Sequence, residues 1–390
     1  MKAYYRPTRA EISLDALQHN LQAFRRHLPS QVEMMAVVKA DGYGHGAIMI
    51  AKEALRCGVR YLAVAVFDEA LELRRAGIAA PILVLGYSPV GAVALAVQYD
   101  IALTVFNEEM LKQIAGQPAL QEGPLVVHIK VDTGMGRLGP HLEEDAIRLI
   151  DQALHTEGIV VEGVFTHYAR ADALDKTYTL EQHRRFKQVV DHCIAQGAPI
   201  RFLHAGNSAT ALDVPELAFN MVRIGVSMYG MYPSDEVNRQ AVQLKPVMTL
   251  KTEVVHLKQM AEGCGVGYGS RYITLDQDEI ATLPIGYADG YSRTLSGSAE
   301  ALIRGRRVPV VGNICMDQCM LNTSGVPAAV GDEVVLIGQQ GNEVILADDL
   351  ARTMGTINYE ITCMIARRVP RIYIRNGAVV NVVNGLFPSQ

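Results

Sequence analysis

The chain has 390 residues, 49% hydrophobic and 20% charged, which is apolar material for more than one core and too little charge for disorder. Its 36 basic and 41 acidic residues leave a formal charge of −5 with no long Lys/Arg block, which excludes a protein that tracks nucleic-acid phosphates. Its 6 cysteines include no CxxC pair, which argues against a disulfide framework or a thiolate zinc site.

The N-terminus, Met-Lys-Ala-Tyr-Tyr-Arg-Pro, lacks the apolar stretch of a signal peptide, so a cytoplasmic protein is expected. From about residue 32 to 232, short β-branched runs alternate with longer helical patterns, the rhythm of parallel strands joined by crossover helices. Strands are predicted at 35–39, 61–66, 81–85, 102–106, 126–131, 161–166, 200–204 and 220–226. Together they are enough to close a (β/α)8 barrel. Between them, Asp68 and Glu69 suit a helix N-terminus ahead of Leu71, Leu73 and Ala76, with Gly77 as the stop. Residues 76–99 carry no formal charge and are long enough to cross a bilayer, but Gly77, Pro81, Gly86, Pro89 and Gly91 cut them into a strand, a turn and a helix. A helix over 180–196 places Phe186, Val189, Val190 and Ile194 on one side and ends at Gly197.

After Tyr232 the period changes. Strand-like runs at 247–258, 279–284, 301–311, 331–337 and 361–375 are separated mostly by turns, with a short helix near 347–353. Cys315 and Cys319 in this stretch read as buried thiols, and no metal is expected. The expected fold class is α/β: an N-terminal (β/α)8 barrel over 1–240 and a C-terminal, mainly antiparallel β domain over 241–390. The junction falls within 233–245, and the extreme N-terminal segment is free to pack with the β domain.

In such a barrel the loops after the strands converge on one mouth. That rule selects Lys39 at the end of the first strand, Arg137 beyond the fifth, His167 and Tyr168 after the sixth, Asn207 and Ser208 after the seventh, and Arg223 and Gly225 on the eighth. Ser208, Tyr43 and the amides of Gly225 and Val226 suit a phosphate, and a desolvated lysine amine attacks carbonyls. A phosphorylated aldehyde such as pyridoxal 5′-phosphate fits both halves. Plain readings stand beside this one. Lys39 could reach solvent along an apolar stem, Gly42, Gly44 and Gly46 could be turn residues, and His167 a core histidine. No GxGxxG, Walker-A, HExxH or GxSxG signature is present.

The stretches Ala36-Val37-Val38-Lys39-Ala40-Asp41-Gly42-Tyr43-Gly44-His45-Gly46 and Asp132-Thr133-Gly134-Met135-Gly136-Arg137 resemble those of bacterial alanine racemases, fold-type III pyridoxal-phosphate enzymes. So do Thr166-His167-Tyr168-Ala169, Asn207-Ser208-Ala209, Val222-Arg223-Ile224-Gly225, Val266-Gly267-Tyr268-Gly269, Gly286-Tyr287-Ala288-Asp289-Gly290-Tyr291, Cys315-Met316-Asp317-Gln318 and Thr356-Ile357-Asn358-Tyr359-Glu360. The resemblance covers almost the whole chain. It implies interconversion of L- and D-alanine for peptidoglycan by a homodimer with shared active sites. Lys39 would be the Schiff-base lysine and one base, and Tyr268 from the partner subunit the other. Arg137 would contact the cofactor's phenolic oxygen and lie near the substrate, Arg223 its pyridine nitrogen, and His167 its ring, with His204 supporting Arg223. Tyr43, Ser208, Gly225, Val226 and Tyr359 would hold the phosphate, and the Met316 amide the substrate carboxylate. Lys130 matches a lysine that is carbamylated in many relatives. Asp172, Tyr287, Arg293, Asp317 and Ile357 resemble residues around the substrate entrance. Tyr291 stands where many relatives have tryptophan. Racemisation of serine or another small amino acid, and a non-catalytic cofactor carrier, are the alternatives.

Overall fold

The computed structural model describes residues 4–387; the first and last three residues, including part of the N-terminal stretch read above, lie outside the described residues. Two compact units result. One comprises Leu17–Gly42 and Ala47–Lys245; the other takes the N-terminal stretch to Ala16, Tyr43–Gly46 and the chain from Pro246 onward. The strand Arg9–Ser13 (β1) belongs to the latter.

The unit of Leu17–Lys245 contains an eight-stranded sheet of Glu33–Val37 (β2), Tyr61–Val64 (β3), Ile82–Val84 (β4), Ile101–Val105 (β5), Leu125–Lys130 (β6), Ile159–Phe165 (β7), Phe202–His204 (β8) and Met221–Ile224 (β9). All of its ladders are parallel, in the order β8-β7-β6-β5-β4-β3-β2-β9. A single parallel bridge, Gly206 to Val222, joins the two ends. The result is the expected barrel, nearly closed, and closure explains why β3, β4, β5 and β9 are buried along their whole length.

The crossover helices follow local signals. Asn107 caps Glu108–Ala115 by accepting the Met110 N–H at 2.7 Å, and Glu143–Leu154 buries Ala146, Leu149, Ile150 and Ala153 at helical spacing. The helix predicted over 180–196 spans Thr177–Ala195. Its inward row is Phe186, Val189, Val190 and Cys193, whereas Ile194 is 65% exposed, because the helical period puts position 193 rather than 194 over the core. Residues 76–99 resolve into β4 and the helix Val93–Gln98, and among the described residues no helix is long and apolar enough to cross a membrane.

The other unit is built on an eleven-stranded, mostly antiparallel sheet, in which β1 pairs antiparallel with Met248–Glu253 and parallel with Arg371–Arg375. Met248–Glu253 alternates buried and half-buried residues, as a strand with one solvated face should. The run predicted at 301–311 is a hairpin of Glu300–Ile303 and Arg306–Val311, turned at Arg304 and Gly305 with φ of 48° and 72°. The run at 361–375 is corrected: only Arg371–Arg375 is a strand, and Asn358–Cys363 is a helix. The helix buries Asn358, Ile361 and Thr362, a helical spacing hidden by the β-branched isoleucine and threonine. The strand Cys319–Asn322 went unpredicted; Cys319 is buried, but Cys315 is only half-buried.

Candidate active site

Strand β2 ends at Val37, two residues before Lys39, so the lysine opens the turn instead of ending the strand. Ala40, Asp41, Gly42 and Tyr43 then take left-handed backbone angles, with φ of 52°, 51°, 61° and 53°. Glycine adopts this freely, but each other residue costs about 1–2 kcal/mol, so the turn needs outside support. The Gly42 N–H bonds to the Val38 carbonyl at 2.9 Å, and Asp41 Oδ1 accepts the Ala47 N–H at 2.9 Å where the helix Ala47–Arg56 begins. Glu69 supplies the rest. Its Oε1 accepts the Ala40 N–H at 2.6 Å, and its Oε2 accepts the N–H groups of Ala65 and Val66 at 2.8 and 3.3 Å, which ties the turn to the end of β3.

A cationic cluster lies at the ends of β6, β7 and β9. Arg223 is buried, with Nη1 donating to His204 Nδ1 at 2.8 Å and Nη2 to the carbonyls of Thr166 and Ala205 and to His167 Nδ1, each at 3.0 Å. Its Nε makes no hydrogen bond to any described residue. A guanidinium only donates, so both imidazoles present a lone pair at Nδ1 and, when neutral, carry their proton on Nε2. Burial, and then Arg223, hold both imidazoles well below the usual histidine range. Burial also lowers Arg223, to about 10, which leaves it cationic at neutral pH. Lys130 is buried beside it. Desolvation and the neighbouring Arg223 bring its amine down to about 7; Nζ donates to the Val131 carbonyl at 2.7 Å and lies 5.3 Å from the Phe165 ring centroid. The loop carrying Arg137 turns on Asp132, whose Oδ1 accepts the N–H groups of Gly134 and Gly136, both at 3.0 Å.

Opposite chemistry gathers after β8 and β9. Asn207 caps the short helix Ser208–Asp213, and Ser208 Oγ accepts the Gly225 N–H at 3.1 Å and the Ser227 N–H at 3.5 Å. With both lone pairs engaged, the Ser208 hydroxyl proton is left to donate, beside the irregular backbone of Gly225 and Val226. Asp172 sits in a loop where its carbonyl accepts the Ser234 hydroxyl at 2.7 Å.

The remaining singled-out residues belong to the other unit. The rings of Tyr43 and Tyr359 are 6.1 Å apart, and burial pushes the Tyr43 phenol up. Tyr268 is 75% exposed, in a turn whose carbonyl accepts from Asn313 at 2.8 Å. Met316 is exposed, but its backbone is pinned: its carbonyl accepts the Ala288 N–H, and that of Cys315 the Tyr287 N–H, both at 3.0 Å. Asp317 pairs at 2.6 Å with Arg368, which also holds the fully buried Asp289 at 2.6 Å, and Arg6 grips Asp289 from another side at 2.6 Å. Tyr287 and Ile357 are exposed, and Arg293 opens the short turn Arg293–Leu295. Sequence reasoning missed Glu69, Arg368, Asp289 and His128 as supports. The signal for His128 was available: it is two residues before Lys130, polar in an apolar strand, and on the same face.

A family model described as "Alanine racemase, N-terminal domain" matches residues 12–233, and one described as "Alanine racemase, C-terminal domain" matches residues 247–373. Alanine racemase 1 of Clostridium acetobutylicum is 44% identical over 385 residues, covering 98% of this chain and 100% of the relative. Among solved structures, the alanine racemase of Clostridium difficile 630 is 41% identical with a TM-score of 0.94, covering 98% of this chain and 100% of that one. The alanine racemase of Bacillus anthracis with bound L-Ala-P is 42% identical with a TM-score of 0.93, covering 98% and 99%.

Proposed function

The chain belongs to the alanine racemase family, and we propose that it interconverts L- and D-alanine with pyridoxal 5′-phosphate, as a cytoplasmic homodimer supplying D-alanine for peptidoglycan. The donors present fit that cofactor. Arg223 has an Nε–H without an internal acceptor, suited to the lone pair of a pyridine nitrogen, and the Ser208 hydroxyl with the Gly225 and Val226 amides suits a phosphate. Tyr43 and Tyr359 are further phosphate contacts on the resemblance, and Lys39 is the amine that meets the aldehyde. When bound, the cofactor supplies the electron withdrawal that makes the substrate's α-proton labile.

Inversion requires a proton to leave one face of the α-carbon and another to arrive at the opposite face, for which two bases on opposite sides suffice and one is awkward. Lys39 Nζ serves one face and the phenol of Tyr268, contributed by a second copy of the chain, serves the other. Arg137 and the Met316 N–H orient the substrate carboxylate between them, and Asp172, Tyr287, Arg293, Asp317 and Ile357 shape the approach. The observation that carries the reading is the buried guanidinium of Arg223 between two imidazole acceptors. Such a group donates a hydrogen bond without surrendering its proton, which limits negative charge on the ring and disfavours transamination. The test is chiral chromatography after incubation with L-alanine. D-Alanine should accumulate toward an equal mixture, and protein with spectroscopically verified cofactor that forms none would refute the assignment.

A further inference from the structure

We propose that Glu162, His128 and Tyr61 act as positioning residues for Arg223, through a one-directional chain of hydrogen bonds in the barrel interior; this rests on the role of Arg223 proposed above. From Arg223, Nη1 donates to His204 Nδ1 at 2.8 Å; His204 Nε2 lies 2.9 Å from His128 Nδ1; and His128 Nε2 lies 3.3 Å from both Glu162 Oε2 and the Tyr61 hydroxyl oxygen. Tyr61 closes the far end, its hydroxyl donating to Glu162 Oε2 at 2.8 Å. Tyr61 opens β3 and Glu162 lies on β7, strands that are not neighbours in the sheet, so their contact crosses the inside of the barrel.

The direction is forced. Arg223 can only donate, so His204 accepts at Nδ1 and its proton sits on Nε2; His128 then accepts at Nδ1 and donates from Nε2, either to the Glu162 carboxylate, which can only accept, or to the Tyr61 oxygen, whose own proton is given to Glu162. Reversing any link sets two donors or two lone pairs face to face. Both rings must therefore be neutral Nε2–H tautomers, and the charge of Arg223 is answered at the far end by Glu162.

The packing is built around this arrangement. Glycine at position 163 is required, since a Cβ there would lie 2.3 Å from His128 Nδ1, and the β6–β7 register shifts between Val127 and His128. Phe202 lies over His128 at 6.4 Å, and Phe165 stacks on His204 at 4.7 Å with 2° between the planes, which holds the His204 ring in its plane. Arg201 Nη1, 3.5 Å from Glu162 Oε1, holds the carboxylate from outside. None of Glu162, His128 or Tyr61 has a part in the proton transfers.

Two measurements test the proposal. In 15N-histidine-labelled holoenzyme, His128 and His204, identified by their loss in H128Q and H204Q, should both show the neutral Nε2–H pattern; an Nδ1–H tautomer or an imidazolium at either position overturns the chain. Glu162→Leu should lower kcat by about tenfold, the equivalent of one lost hydrogen bond, with KM little changed and the visible band of the bound cofactor displaced. Glu162→Gln keeps an acceptor oxygen and should recover most of that loss. A leucine variant equal to the parent, or a glutamine variant as impaired as leucine, refutes positioning through Glu162. Failure of the parent to racemise alanine would remove the proposed function but leave the tautomer result standing, so the two failures are distinguishable.

Discussion

Glu69→Ala should loosen the turn that carries Lys39. Ala40, Asp41 and Tyr43 are left-handed without being glycine, an intrinsic cost of about 3–6 kcal/mol for the three. Much of the compensation comes from one carboxylate that accepts the N–H groups of Ala40, Ala65 and Val66. Hydrogen bonds to a charged group contribute about 1.5–3 kcal/mol, and Glu69 is half-buried, so about 2 kcal/mol is a reasonable net loss in alanine. That is roughly 30-fold in the ratio of ordered to disordered turn. Amide hydrogen exchange at Ala40 and Gly42 should accelerate by about that factor, and the affinity of apoprotein for pyridoxal phosphate, followed by absorbance, should weaken by at least about tenfold. Glu69→Gln, which keeps one acceptor, should fall between. Unchanged exchange and affinity in the alanine variant would show that the turn is held by other contacts.

Tyr268→Phe should lower racemisation by at least about 100-fold with cofactor still bound, and α-deuterium washout should persist from one enantiomer while being lost from the other; equal losses from both would contradict a two-base arrangement. Lys130, lowered from 10.5 to about 7, is protonated in the unfolded chain but not in the native one between those values. Its destabilising contribution is absent above about pH 10.5 and grows to about 5 kcal/mol as pH falls to 7. In bicarbonate-free buffer, denaturant unfolding should therefore show the advantage of Lys130→Met over the parent shrinking from pH 7 to pH 10, and a constant difference would refute the depressed amine. The same neutral amine can add carbon dioxide with loss of a proton, so 13C-bicarbonate should yield a carbamate NMR signal in the parent that is absent from Lys130→Met. Gly163→Ala should cost about 1–3 kcal/mol in the same unfolding assay, because the new methyl group meets the His128 ring; stability equal to the parent would contradict that close packing.

The barrel was legible because fully buried parallel strands leave a direct trace, short β-branched runs such as those of β4 and β5 bounded by turn residues. The run at 361–375 misled for the converse reason. Its isoleucines and threonine look like strand residues, and only the burial of Ile361 and Thr362 together with Asn358, three and four positions apart on one side of a helix, decides between the two periods. Arg223, His167, His204 and Lys130 were singled out from strand ends and family motifs, and the fold brings them into one cluster. Glu69 was visible only as an acid at a helix start, since nothing near it in the chain announces that its acceptors face Ala40.

What the sequence determined by itself was the alternation that makes a barrel, the change of period that follows it, and the motifs, in order, that mark the family. Tertiary structure alone decided the left-handed sense of the turn after Lys39, the register shift that places His128 against Gly163, and the path from Arg223 to Glu162. The physical reason is range. Periodicity and turn chemistry are local and leave a trace in neighbouring residues, whereas the direction of a hydrogen bond depends on which groups closure of the barrel sets opposite each other, across separations such as the 76 residues between His128 and His204.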